Sequence, residues 1–329
     1  MRAITYSQLG EARDVLGLVE MDTPAPAAGE VCVRIALSGV NPSDVKSRKG
    51  RPGMTHPPFE QVIPHSDGAG VIEAVGDGVD PARIGQRVWI WNGQWQRPFG
   101  TAATHITLPG AQAVALADDV SFETAASLGI PGLTASHAVF NGGDVAGQTL
   151  LIQGGAGTVG YLAVQLAKWA GARVIATTGK AGAARASQAG ADVVLDYAAP
   201  DLADQILAAN NGAPVDQIIE VEFGANIGLD AQVIKPNGRI AAYGSAKEME
   251  PTLPFLPLLF KAVTIDIILV YLLTPTQRNL AIDHVHRALT ENALACPVEQ
   301  IFTLADTVLA HEAVEAGARA GAILVDCQN

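Results

Sequence analysis

Cysteine is scarce in this chain. Cys32, Cys296 and Cys327 are the full complement, far apart and odd in number. They build no disulfide framework and suit a reducing compartment. Basic residues are also few: 21 Lys and Arg stand against 33 Asp and Glu, a net charge of −12. Nucleic acid and anionic membrane surfaces both require a basic patch, so neither is an expected partner. The one basic grouping is Lys46, Arg48, Lys49 and Arg51. Long apolar runs are missing as well. The opening MRAITYSQLG lacks the apolar core of a signal peptide, and residues 264–273 are too short to span a bilayer. Together these absences predict a cytoplasmic protein.

What is abundant is hydrophobic side chains and turn formers. Hydrophobic residues make up 49% and charged ones 16%, which suits a well-buried enzyme. At 329 residues the chain is long for one core, so two domains are expected.

Residues 149–179, TLLIQGGAGTVGYLAVQLAKWAGARVIATTG, organise the rest. An apolar strand at 150–152 runs into Gly154, Gly155, Gly157 and Gly160, then a helix over 161–170, then a strand over 173–177. This is one βαβ unit. Glycines allow a phosphate bridge to approach a helix N-terminus where a Cβ would block it. Ala156, Gly157, Thr158 and Val159 are therefore expected to hold a dinucleotide. The first fingerprint glycine is Gly154 or Gly155, depending on register.

The end of the second strand selects the dinucleotide. An NAD site places an acid there for the ribose hydroxyls. Here the sequence reads Thr177-Thr178-Gly179-Lys180, with no acid. Lys180 can donate to a 2′-phosphate, with Arg185 beyond it and Tyr197 able to flank adenine or phosphate. The reading is NADPH over NADH, against the alternative that Lys180 is a solvated surface lysine.

Residues 1–121 read as short strands split by Gly and Pro (2–6, 30–37, 70–75, 86–91 and 101–108), a barrel-like β domain. From Ser121 the pattern alternates. Helices are expected over 122–129, 133–140, 183–189, 202–208 and 228–234, and strands over 192–195, 216–221 and 239–243. Such alternation predicts a doubly wound parallel sheet. Residues 262–272 read as one long β-branched strand, 275–291 as an amphipathic helix, and the tail as strand, helix and strand. The fold class is α/β, with the cofactor domain inserted between the early β segments and the tail. Nicotinamide and substrate are expected in the cleft between them.

Four motifs then carry a resemblance over the whole chain: GVNPSD (39–44), SDGAGVIEAVG (66–76), GIPGLTA (129–135) and QGGAGTVG (153–160). The sequence resembles the medium-chain dehydrogenase/reductase superfamily, within it the zinc-free, zeta-crystallin-like NADPH:quinone oxidoreductases. The tail AGAILV (320–325) is similar to the family ending, with Ala322 where a lysine is usual. The resemblance implies a GroES-like catalytic domain over 1–121, an NADP-binding Rossmann domain over 122–261, and the end of the sheet with a return to the catalytic domain over 262–329. Zinc relatives place Cys, His and Cys around the metal. Asn41 stands near the first position, Ser66 at the second, and no cysteine lies between 33 and 295. His65 is out of register by one. No metal is expected; Asp67 caps or hydrogen-bonds a turn.

The resemblance implies hydride transfer to an electron-poor quinone or other α,β-unsaturated carbonyl, which needs no Lewis acid. Its catalytic candidates are Asn41, Lys46 and Thr134. Asn41 donates to a carbonyl, steadies the nicotinamide ribose, or only closes a loop before Pro42. Lys46 replaces a family tyrosine and binds the cofactor or an acidic substrate, or is solvated. Thr134 matches a position near the nicotinamide, or only bonds its own helix. Tyr243, Gly244, Ser245 and Ala246 end a strand at the cofactor. Ile268, Leu269 and Val270 match a segment whose backbone meets the carboxamide. Arg319 reaches the 2′-phosphate or lies on the surface. Trp89, Trp91, Trp95 and Phe99 form barrel core plus one lid residue, rather than a stack for a flat quinone. Two further readings are an enoyl thioester reductase, which would want a tyrosine donor near Lys46, and a non-catalytic crystallin-like protein that binds NADPH or nucleic acid. The alternation over 264–270 predicts a strand that continues a sheet across a two-fold axis, hence a homodimer.

Overall fold

A computed structural model describes every residue except Arg51, Pro52 and Ala318. The chain divides into two compact units, Met1–Ile130 with Cys296–Asn329, and Pro131–Ala295. The division after Ile130, not 121, has a local cause. The Phe122–Ala125 helix packs on the Glu30–Val40 and Asp67–Val75 strands of the first unit. The return comes at Cys296, inside the 262–329 span, because the Pro275–Thr290 helix lies on the Leu133–Phe140 helix. There Ser136 Oγ donates to Ala281 O at 3.1 Å.

The first unit is built on one long strand, Glu30–Val40, whose inward residues Val31, Val33 and Ile35 are wholly buried. Register shifts at Cys32/Val33 and Ile35/Leu37 bend it against Asp67–Val75. Its first half pairs with His105–Pro109 and its second with Ala322–Asp326. A bent strand with three partners wraps the sheet about a core of Ile72, Val88, Ile90, Ile106, Leu108 and Val325. Trp89 is wholly buried.

The second unit is a six-stranded parallel sheet. Its order is Val193–Asp196, Arg173–Thr178, Thr149–Gln153, Val215–Glu220, Ile234–Ala242, Thr264–Ile267. Leu151, Ile175, Ile218 and Ile240 form an apolar row across it, each paired with its neighbour. The chain leaves the central Thr149–Gln153 strand toward one edge, then returns to fill the other. The switch point therefore lies between Gln153 and Glu220, at the C-terminal ends where α/β sheets hold ligands.

Three sequence expectations are corrected. The strand expected over 262–272 spans only Thr264–Ile267. Its partner strand ends at Ala242, whose carbonyl takes the Ile268 N–H, and Val270–Leu272 then forms a 3-10 turn. The helix expected over 122–129 stops at Ala125. A π-helical turn over Leu128–Gly132 follows, with Pro131, which lacks an N–H, inside it. The helix expected over 228–234 starts earlier, at Phe223. No helix among the described residues is long and apolar enough to cross a membrane.

Candidate functional site

In the second unit the Thr149–Gln153 strand ends in a turn that favours glycine. Gly154 has φ of +69°. Gly155 N donates to Thr177 O at 2.9 Å, and Gly157 N to Gly154 O at 2.9 Å. A Cβ on Gly155 would lie 2.7 Å from the Ala176 side chain, and one on Gly160 would lie 2.2 Å from Gly154 O. The turn, the helix and the next strand are therefore in backbone contact. Gly157 caps the Thr158–Trp169 helix with no side-chain hydrogen bond to its first turn. Ala156, Gly157, Thr158 and Val159 thus sit at an N-terminus whose amide groups favour an anion.

The second strand, Arg173–Thr178, ends beside this turn. Gly179 follows, then Lys180, which is exposed. Tyr197 N donates to Thr178 O at 3.1 Å, which sets the ring by Gly179: a Cβ there would lie 3.1 Å from the Tyr197 hydroxyl. Tyr197 is 58% exposed. Arg185 is drawn the other way, its Nε donating to Ala156 O at 2.8 Å and its guanidinium lying over the Tyr161 ring. Sequence reasoning missed Lys247, whose ammonium lies 6.0 Å from the Tyr197 ring centre. It is far along the chain from Lys180, and no local pattern links them.

Tyr243, Gly244, Ser245 and Ala246 close the other side. A Cβ on Gly244 would lie 2.5 Å from Val221 O. Ser245 Oγ accepts the Gly224 N–H at 2.9 Å. Glu222 Oε1 accepts the N–H groups of Ala246 and Lys247, at 2.7 and 2.6 Å. Of the 268–270 segment, Ile268 and Val270 are buried and Leu269 is half-exposed. The Val270 carbonyl accepts from Arg278 Nη2 at 3.0 Å. Thr134 is buried in the Leu133–Phe140 helix.

In the first unit, Asn41 opens the Pro42–Lys49 helix. Its N–H donates to Asp44 Oδ2 at 2.7 Å and its side-chain Nδ2 to Asp67 Oδ2 at 2.8 Å. Both carboxyls are buried. Burial pushes Asp44 up to about 7, and burial raises Asp67 well above its usual range despite the Asn41 bond. Asp67 thus bonds a side chain and a backbone turn, as the sequence suggested. Lys46 is exposed on the same helix, and Arg319 lies in the turn before Ala322–Asp326. The basic grouping is largely neutralised. Arg48 is wholly buried against Glu315, and Lys49 lies 3.1 Å from both Glu11 and Glu315; Arg51 lies outside the described residues.

A second buried chain went unseen in the sequence. His65, at φ of +77°, shares hydrogen bonds with Ser38 Oγ and His311 Nε2, both at 2.9 Å. Burial pushes His65 down to about 3, so the rings face each other uncharged. Among the described residues no three His, Cys, Asp or Glu side chains converge as metal ligands would.

A family model described as alcohol dehydrogenase GroES-like domain matches residues 27–145, and one described as zinc-binding dehydrogenase matches residues 158–287. The rat quinone oxidoreductase is 30% identical over 254 residues, 76% of this chain and 75% of that protein. Among solved structures, the quinone oxidoreductase of Pseudomonas syringae pv. Tomato DC3000 superposes with a TM-score of 0.86 at 29% identity, over 99% of both chains. A mycobacterial protein complexed with NADPH superposes with a TM-score of 0.86 at 27% identity, again over 99% of both.

Proposed function

Because the chain belongs to the quinone oxidoreductase family of the medium-chain dehydrogenases and reductases, we propose that it is an NADPH-dependent, zinc-independent reductase of quinones or other α,β-unsaturated carbonyls. The observation that carries the reading is the glycine turn. A Cβ at Gly160 would lie 2.2 Å from Gly154 O, so backbone alone faces the helix N-terminus. That cradle fits a pyrophosphate, held by Ala156, Gly157, Thr158 and Val159. Gly179, Lys180 and Tyr197 take the 2′-phosphate end, where residues 177–180 carry no acid. Tyr243 to Ala246 and Ile268 to Val270 line the remainder. On the family resemblance we assign Asn41, Lys46 and Thr134 to the reacting end and Arg319 to the 2′-phosphate.

When bound in this cradle, NADPH would supply the hydride, and water would supply the proton that the acceptor also needs. The ligand positions of zinc relatives hold Asn41 and Ser66 here, neither a ligand zinc ordinarily takes. An acceptor that is already electron-poor suits such a site. The three cysteines and acidic balance support a reducing, cytoplasmic setting.

The test is NADPH oxidation against a benzoquinone, an ortho-quinone, an enone and a crotonyl thioester. Turnover of a quinone or enone is expected. Turnover of the thioester alone would replace the reading with an enoyl thioester reductase, and failure to bind NADPH would end it. In the same assay Lys180→Ala should raise the NADPH KM about tenfold, the worth of one charge-assisted contact of roughly 1.4 kcal/mol. The NADH KM should stay unchanged. An equal change in both would remove Lys180 from the phosphate.

We also propose a homodimer. Thr264–Ile267 is an edge strand, and the apolar side chains beside it are exposed: Phe260 by 80% and Ile267 by 69%, with Phe255 and Leu256 close in sequence. A bare edge with an apolar margin is a pairing surface. Light scattering should give twice the chain mass; a monomer mass would refute it.

A further inference from the structure

Two wholly buried carboxyls, Glu220 and Asp230, meet at the switch point of the parallel sheet. Glu220 ends the Val215–Glu220 strand; Asp230 lies on the inner face of the Phe223–Val233 helix. Every other oxygen of the pair is committed. Asp230 Oδ1 accepts from Gln153 Nε2 at 3.2 Å, and Gln153 Oε1 accepts from Thr177 Oγ1. Glu220 Oε1 accepts from the Glu222 N–H and from Asn226 Nδ2 at 3.0 Å. The two oxygens left over, Glu220 Oε2 and Asp230 Oδ2, are buried with no other side chain as partner; the two carboxyls interact with each other, and the Val221 N–H also faces Glu220. Two carboxylates in contact and out of water cannot both ionise, so a proton must lie between them.

What the pair supports gives it a role. Glu220 holds the turn at 221–224 by its Glu222 N–H bond. That turn touches both walls of the proposed cofactor site. A Cβ on Gly154 would lie 2.8 Å from Val221 Cγ1, and one on Gly244 would lie 2.5 Å from Val221 O. Phe223 N donates to Gly244 O at 2.9 Å, Tyr243 N donates to Glu220 O at 3.0 Å, and Glu222 holds Ala246 and Lys247. Thr177, Gln153, Asp230 and Glu220 thus form one chain of donors and acceptors beneath three adjacent strand ends.

We propose that Glu220 and Asp230 share a single proton, resident on Asp230, and that this proton positions the 221–224 turn between the glycine turn and the 243–247 loop, so that both are set for the dinucleotide. The role in binding rests on the function proposed above; the proton does not. Glu220 is the charged member. It already accepts two donors, and its charge adds to the burial that raises the Tyr243 phenol. Burial, then the Glu220 charge, keeps Asp230 neutral. The groups facing the pair are Gln153, Thr177, Asn226, Glu222 and Tyr243. Loss of the proton at alkaline pH leaves two facing charges that drive the turn outward.

Asp230→Asn tests this directly. Its amide donates to Glu220 as the acid does, still accepts from Gln153, and cannot lose the proton. Wild-type affinity for NADPH should fall about tenfold or more across the alkaline limb, while Asp230→Asn holds its neutral-pH affinity further up the range. Asp230→Leu, which removes the donor, should bind weakly at every pH. Superimposable profiles for wild type and Asp230→Asn would overturn the positioning role. The proton is read separately, without cofactor, by infrared spectroscopy. Asp44 and Asp67 are also buried with raised carboxyls, so the reading is a difference: the neutral-pH spectrum of the wild type minus that of Asp230→Asn should show one buried protonated-carboxyl band. A difference spectrum without this band overturns the shared proton. A difference spectrum that shows the band for a wild type that binds no dinucleotide overturns the proposed function and the positioning role with it, and leaves the shared proton standing.

Discussion

Gly160→Ala should lose NADPH binding by about a hundredfold or more, roughly 2.7 kcal/mol of affinity, and NADPH oxidation with it. The cause is steric. The added methyl would lie 2.2 Å from Gly154 O, 2.9 Å from Gly154 C and 3.0 Å from Gly155 Cα. All three are backbone atoms of a turn already fixed by hydrogen bonds to Thr177 and Gly157. No side-chain rotation relieves the clash, so the helix start and the turn must separate by most of an ångström. The amide groups at Gly157 to Val159 then no longer share one focus, which is what an anion site at a helix end needs. Overpacking should also cost about 1–3 kcal/mol of stability. Gly157→Ala is the contrast. Its nearest backbone neighbour would be 3.3 Å away, so it should fold normally and lose affinity only through the methyl facing the phosphates. The measurement is NADPH fluorescence titration beside circular dichroism. Unchanged affinity in a folded Gly160→Ala protein would remove the glycine turn from binding.

Glu315→Ala should destabilise the first unit by about 3–5 kcal/mol, the cost of leaving a buried charge without its partner. Arg48 has no exposed side-chain surface. Its guanidinium donates to Glu315 Oε1 and Gly10 O, and it lies near His311, which burial, with His65 and Arg48 beside it, holds well below its ordinary value. Without the carboxylate, Arg48 keeps one carbonyl in a site closed to water. Lys49, at 39% exposure, reaches Glu315 from outside and returns to solvent. Arg48→Met in the Glu315→Ala background should recover part of the loss, because the charge leaves with the side chain. Urea unfolding followed by tryptophan fluorescence reads this unit, which holds Trp89, Trp91 and Trp95 of the chain's four. A loss below about 0.5 kcal/mol, the worth of an exposed pair, would show that Arg48 finds water in the variant.

Both effects bear on what the sequence reveals. The glycine turn was legible because its cause is local: an apolar strand, small residues and a helical run lie within one stretch. The same holds for the absent acid at Gly179 and Lys180. Arg48 with Glu315, His65 with His311, and Glu220 with Asp230 were not legible. Each joins positions brought together only by tertiary packing, and a buried charge looks like a surface charge until its partner is in view. One trace existed. Glu220 closes the apolar run Ile218-Ile219 and Asp230 falls between Ile227 and Ala231 on the buried side of its helix. An acid on a buried face is the pattern that flags a partner. The strand read over 262–272 was too long for a related reason. β-branching continues past Ile267, whereas the partner strand stops at Ala242, and only the partner's length ends the pairing.

The Ala322–Asp326 strand lies between Val298–Thr303 and Glu30–Val40, joining the last residues of the chain to some of the first. Residues 131–295 close their own sheet without help from either end. A nascent chain can therefore complete the inner unit while the outer one still has an open edge along residues 37–40 of the Glu30–Val40 strand. That edge stays bare until residue 326 has left the ribosome. The outer unit is then the slow, aggregation-exposed step of biosynthesis, dominated by contacts between sequence-distant residues. A chaperone that shelters one strand edge for the length of translation would act on this protein at residues 37–40.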